Sequence, residues 1–161
     1  MTQWTPIIAA IGALALPLAA LAQEQTMEAA SEPAEHAIVT SEAVAFQPLE
    51  VPGFDPGIQL AVIHGNPEAE AGDYTVRLAL PAGYRFPAHY HPKAEHVTVL
   101  SGTFLLAMGE VVDPAAIQSY APGAFIYIPA EHPHYGGAEG ETVIQLHGEA
   151  PFKIVLVESG S

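Results

Sequence analysis

The chain of 161 residues contains no cysteine. That absence removes disulfides, thiolate nucleophiles and thiolate metal sites together. It also excludes a lipoprotein, which needs a cysteine to acylate. Stability must then come from the core alone, and a closed sheet is one way to supply it. Basic residues are almost as scarce. Only Arg77, Arg85, Lys93 and Lys153 stand against eighteen Asp and Glu, giving a formal net charge of -14. A chain without basic patches cannot neutralise phosphates, so nucleic acid is excluded as a partner. Binding to an anionic membrane surface is disfavoured for the same reason, whereas a cationic partner or a metal ion is electrostatically favoured. Beyond residue 22 no long helical period is found either.

What is present begins with an apolar run at residues 7–22, IIAAIGALALPLAALA. It is short and proline-interrupted for a spanning helix, and it ends in the small residues that a signal peptidase reads. The expectation is a signal peptide over 1–22, cleaved after Ala22, and a mature protein that is periplasmic or secreted, with no stable membrane association after cleavage. The feature off pattern is that residues 1–6 carry no Lys or Arg; the alternative is an N-terminal membrane anchor. Residues 23–43, rich in Glu, Ala and Ser, read as a flexible acidic leader, with His36 solvated within it. The folded domain is expected over 44–161, with no internal repeat.

In that domain, short β-like runs alternate with Gly and Pro. Strands are expected over 59–64, 73–80, 86–91, 95–100, 103–108, 124–128, 134–138, 142–147 and 153–158, with a connection over 113–120 that holds a short helical turn. Nine short strands at this spacing predict an all-β sandwich or barrel.

The chemistry concentrates in GYRFPAHYHPKAEHVTVLSG, residues 83–102, and in PAEHPH, residues 129–134. Two histidines at i and i+2 on a strand point to one face, so His89 and His91 face together, and Glu95 follows four residues later. Imidazole and carboxylate groups converging inside a barrel suit a divalent metal. In the second cluster His134 competes with His132, which lies two residues earlier and faces the same side if the strand begins there.

These residues resemble the cupin superfamily, as a small single-domain exported cupin of type-2-like pattern. Its first motif is Gly, five residues, His-x-His, three or four residues, Glu, six residues, Gly; Gly83, His89, His91, Glu95 and Gly102 match every fixed position. Its second is Gly, five residues, Pro-x-Gly, two residues, His, three residues, Asn; Gly123, Pro129 and His134 match, while Glu131 replaces Gly and Ala138 replaces Asn. The resemblance implies a double-stranded β-helix, a jelly-roll barrel, closed over one divalent metal ion. It carries the ligand role onto His89, His91, Glu95 and His134. It also implies a homodimer. Glu131 stands where glycine permits a positive φ, so a slightly altered turn is expected before His134.

The remaining candidates are weighed by strand parity. His96 and Tyr90 should face away from the metal, and His64 at a strand end is structural or exposed. Gln145 and His147 face the barrel interior in one parity; in the other, Ile144 and Leu146 do. Phe104, Leu106 and Met108, and likewise Phe125 and Tyr127, are expected as barrel packing. Arg77 pairs with an acidic neighbour or orients an anionic substrate.

Three imidazoles and one carboxylate leave open positions on a five- or six-coordinate ion. Fe, Mn, Zn, Ni and Cu all fit such a donor set. Two function classes follow. One is a mononuclear metalloenzyme of dioxygenase, isomerase or lyase type acting on a small molecule, with His132 and His147 as candidate catalytic bases. The other is a non-catalytic module that binds or senses a metal or small ligand in the periplasm. A site open to water favours the enzyme; a site closed by aromatic side chains favours binding.

Overall fold

The computed structural model describes residues 36–158. The signal peptide expected over 1–22 and the first part of the leader lie outside the described residues. Residues 36–43 pack no side chain into a core: all are exposed, His36 included, and a single 3-10 turn spans Ser41–Ala43.

Eleven strands follow: β1 (Gln47–Pro48), β2 (Gln59–His64), β3 (Asp73–Leu80), β4 (Arg85–Tyr90), β5 (Glu95–Ser101), β6 (Phe104–Met108), β7 (Gln118–Tyr120), β8 (Phe125–Ile128), β9 (His134–Ala138), β10 (Thr142–Glu149) and β11 (Val155–Leu156). They form two antiparallel sheets, β1-β2-β3-β10-β5-β8 and β11-β4-β9-β6-β7. The β2, β3 and β9 bounds coincide with those expected. Two strands were not foreseen. β1 contains Pro48, which cannot donate to a second neighbour, and it lies at a sheet edge where no second neighbour exists. β7 sits at the other sheet's edge, just after a 3-10 turn over Pro114–Ala116. That turn is the expected helical one. Asp113 caps it, its carboxylate accepting from the Ala115 N–H at 2.9 Å.

The core forms because alternate residues of the larger sheet face the smaller one. Val76, Leu146 and Val97 lie in one cross-strand row, and Leu78, Ile144 and Val99 in the next. This decides the parity of β10. Ile144 and Leu146 are buried, and Gln145 and His147 face outward. Each fully buried aliphatic side chain of these rows contributes about 1.5–3 kcal/mol relative to exposure, so the strand turns its apolar edge inward.

The same rule corrects two packing expectations. On β8 it is Ile126 and Ile128 that are buried; Phe125 and Tyr127 are exposed and lie beside His96 on the outer face. On β6, Phe104 and Leu106 join the core as expected, but Met108 ends the strand and is exposed. The smaller sheet is held close by glycine. A Cβ on Gly136 or Gly137 would come within 1.9 Å of the Leu105 or Tyr84 carbonyl oxygen, so only hydrogen fits between β9 and its neighbours. The outer face of that sheet carries a second cluster of Ala88, Ala107 and Tyr135.

Candidate metal centre

His89 lies next to last on β4, and its register partner is His134, the first residue of β9. His91 follows β4 directly, and Glu95 opens β5. The barrel therefore brings together residues 45 positions apart. Ring centroids of His89 and His134 are 4.3 Å apart, those of His89 and His91 5.0 Å, and those of His91 and His134 5.3 Å. One nitrogen from each of the three imidazoles lies within 4.8 Å of the others. All four side chains are buried: His89 is 5% exposed, His91 6%, His134 3% and Glu95 3%.

The backbone fixes which nitrogen faces inward. His89 Nδ1 donates to the Pro87 carbonyl at 2.9 Å, His91 Nδ1 to the Lys153 carbonyl at 2.7 Å, and His134 Nδ1 to the His132 carbonyl at 3.1 Å. A carbonyl oxygen only accepts, so each Nδ1 carries the proton and each Nε2 keeps a free lone pair. Outer hydrogen bonds of this kind orient metal-ligating histidines. Burial reinforces the neutral form. It pushes His89 down to about 3 and His91 down to about 4, in both cases with help from His134, and it lowers His134 too. Neutral imidazole is the form that binds metal.

Glu95 stands slightly apart from the three histidines. Its Oε2 is 3.3 Å from His91 Nε2, and its Oε1 has no hydrogen-bond partner. Burial pushes its carboxyl up to about 8. With His91 held neutral as well, the contact is a close approach of two neutral groups rather than an ion pair. A stranded acceptor beside three free lone pairs is a donor set that a divalent cation completes, so the residues fit the ion that the motif implies.

Around them the cavity is small, about 50 Å³. Phe54 meets His89 edge-on at 5.2 Å, Phe86 does so at 5.4 Å, and Phe152 stacks on His91 at 5.3 Å. This aromatic collar was not read from the sequence. Phe54 sits in the Pro- and Gly-rich segment VPGFDPG, and Phe152 follows the end of β10; neither has a motif or a periodicity to signal it.

Other sequence candidates fall outside the cavity. His132 is exposed and contributes its backbone carbonyl to His134 rather than its ring. His147 faces solvent, its Nδ1 3.1 Å from Thr75 Oγ1. Neither side chain lines the cavity, because strand parity turns His147 outward and β9 begins only at His134. Tyr90, His64 and His96 are likewise absent from its wall. Among the described residues Arg77 pairs with neither a carboxylate nor the site: its Nε donates to Gln145 Oε1 at 3.1 Å on the outer face. The turn before His134 keeps its glycine-like shape. Glu131 takes φ 59°, and its N–H donates to the His91 carbonyl at 2.8 Å.

The model of a family described as the ChrR cupin-like domain matches residues 34–153. No curated protein matches the chain. Among solved structures it is similar to the polyketide cyclase RemF from Streptomyces resistomycificus, at 17% identity and a TM-score of 0.63, over 79% of this chain and 89% of that one. It is also similar to a cupin 2 conserved barrel domain protein from Rhodopseudomonas palustris, at 17% identity and a TM-score of 0.55, over 70% and 77% of the two chains. KdgF from Halomonas sp. is a third, at 20% identity and a TM-score of 0.53, over 71% and 94%. At these identities the likeness is one of fold.

Proposed function

The chain belongs to the cupins, in the family of the ChrR cupin-like domain, and from that premise we propose that it is a mononuclear metalloprotein whose ion is held by His89, His91, His134 and Glu95 and which acts on a small molecule as a metalloenzyme of dioxygenase, isomerase or lyase type. The observation that carries this reading is the convergence of three buried imidazole nitrogens within 4.8 Å of one another beside a carboxylate oxygen with no partner.

In this reading the three histidines bind the ion through Nε2, and their Nδ1 atoms hold the rings against backbone carbonyls. Glu95 supplies the negative charge that the ion requires. Bound there, a divalent ion supplies Lewis acidity, or one-electron chemistry if it is redox-active. The phenyl rings of Phe54, Phe86 and Phe152 exclude bulk water, which strengthens every charge interaction within. Among the described residues no titratable side chain lines the cavity apart from these four, so with Glu95 on the ion a proton moved in the reaction passes through a water or the substrate itself. A periplasmic or secreted location is proposed from residues 7–22 and the absence of cysteine, and a homodimer from cupin resemblance.

The second reading, a non-catalytic binding or sensing module, is favoured by the aromatic collar and by the lack of a separate base. The test is metal content by mass spectrometry on untagged, natively exported protein, comparing wild type with His134→Ala and His132→Ala. One equivalent of metal, lost in His134→Ala and retained in His132→Ala, is expected. Wild type that holds no metal and takes none up on reconstitution would overturn the metal reading. Iron or copper would then direct substrate screens to oxygen chemistry, and zinc or manganese to Lewis-acid chemistry; a metal site inert to every class screened would leave the binding module.

A further inference from the structure

We propose that the molecule taken by this site is small and uncharged, with one donor atom for the ion and an otherwise hydrocarbon body, and that sugar-like and distally charged molecules are excluded. The proposal rests on the metal reading above and adds to it the class of ligand.

The argument comes from the composition of the wall. Seventeen of the described residues line the cavity. Four are His89, His91, Glu95 and His134, and the other thirteen are Leu, Ile, Val and Phe. The four polar groups are already committed. Each Nδ1 is bonded to a backbone carbonyl, and Nε2 and the carboxylate serve the ion. Among the described residues no side chain remains to donate to, or accept from, any other part of a ligand.

Charge recognition fails in the same way. The chain has only four basic residues, and the structure accounts for all of them elsewhere. Arg77 is bonded to Gln145, and Arg85 donates to the carbonyls of Tyr84 and Ala138. Lys93 pairs with Glu149 at 3.1 Å. Lys153 is exposed, and only its carbonyl reaches the site. A ligand carboxylate or phosphate remote from the ion would therefore be buried without a partner, in a protein of net charge -14.

Size narrows the class further. The cavity of about 50 Å³ must hold the ion as well, so it admits only a small ligand. A hydroxyl stranded against this wall costs about 1–3 kcal/mol, which is roughly a 5- to 150-fold loss of affinity per group. Molecules with several hydroxyls are thus rejected repeatedly, while a methyl group in the same place is accepted.

The test uses the full chain loaded with Co²⁺, whose visible absorption reports a new donor on the ion. Three thiols of similar length serve as probes, the sulfur giving each the same handle on the metal: 1-butanethiol, 3-mercapto-1-propanol and 3-mercaptopropionate. Binding of butanethiol at least tenfold tighter than either of the others is expected. Leu78→Thr, which places a hydroxyl in the wall, should narrow the gap between butanethiol and mercaptopropanol. Equal or tighter binding of the hydroxyl or carboxylate probe by wild type overturns the proposed ligand class while leaving the metal site standing. Failure to take up Co²⁺ removes the site itself and overturns both readings.

Discussion

Glu95 gives the most quantitative test of the site, because its burial has a thermodynamic signature that does not require knowing the substrate. In the metal-free protein its carboxyl is pushed up to about 8 from an ordinary 4.5 by burial. A group whose pKa rises on folding contributes stability that is fully present below its unfolded value and lost as the pH rises through its folded value. The window for Glu95 is therefore pH 4.5 to 8. At 1.36 kcal/mol per unit, keeping it protonated at pH 7 costs about 3 kcal/mol, and the step from pH 7 to pH 8 removes about 1 kcal/mol more. The histidines have the opposite sign. His89 falls to about 3 and His91 to about 4, so their contribution is present above 6.5 and lost as the pH falls through those values. The metal-free protein should thus be most stable near pH 6.5. Thermal unfolding in the presence of a chelator should show Tm falling by roughly 3–5 °C between pH 7 and pH 8 for a domain of this size. In Glu95→Gln, which cannot ionise, the fall should vanish. In wild type saturated with a divalent ion it should also vanish, because the ion holds the carboxylate charged. A metal-free wild type with the same Tm at both pH values, or a Glu95→Gln variant that loses as much as wild type, would refute the reasoning.

Three further outcomes follow from particular contacts. Gly137→Ala places a Cβ 1.9 Å from the Tyr84 carbonyl oxygen and should cost about 3 kcal/mol in denaturant unfolding; a change below about 1 kcal/mol would mean that β4 and β9 are not held as close as described. The buried Tyr135 hydroxyl accepts from the Asp113 N–H at 3.0 Å and donates to the Asp113 carbonyl at 3.2 Å. Tyr135→Phe should therefore cost about 1–2 kcal/mol in the same assay, without changing metal content. Glu131 bears a left-handed backbone at φ 59°, so Glu131→Gly should raise stability by about 1 kcal/mol while metal stoichiometry stays the same; a loss of stability would place the turn in another conformation.

The contrast between Glu131 and His147 shows where the sequence is legible. Local turn geometry at Glu131 follows the pattern of the second motif even though the residue departs from it, since the surrounding strands over-determine the turn. His147 lies in an alternating strand, VIQLHG, that supports either parity when read alone. Only the apolar rows contributed by β3 and β5 make Ile144 and Leu146 the inner face. Phe125 and Tyr127 were misread for the same reason: large aromatic side chains suggested packing, but Ile126 and Ile128 meet the core.

The sequence by itself determined the fold class, most strand positions and the inward-facing histidines, because two-residue periodicity, Gly and Pro punctuation and fixed motif spacing are local properties of the chain. It also ruled out thiolate chemistry and basic binding surfaces, since a residue type that is absent is absent from every fold. The tertiary structure alone decided which face of β10 is buried, how Phe54, Phe86 and Phe152 close around the histidines, which backbone carbonyls fix each imidazole tautomer, and that all four cations lie away from the cavity. These are contacts between residues distant in the chain, and they exist only once two sheets have closed on each other.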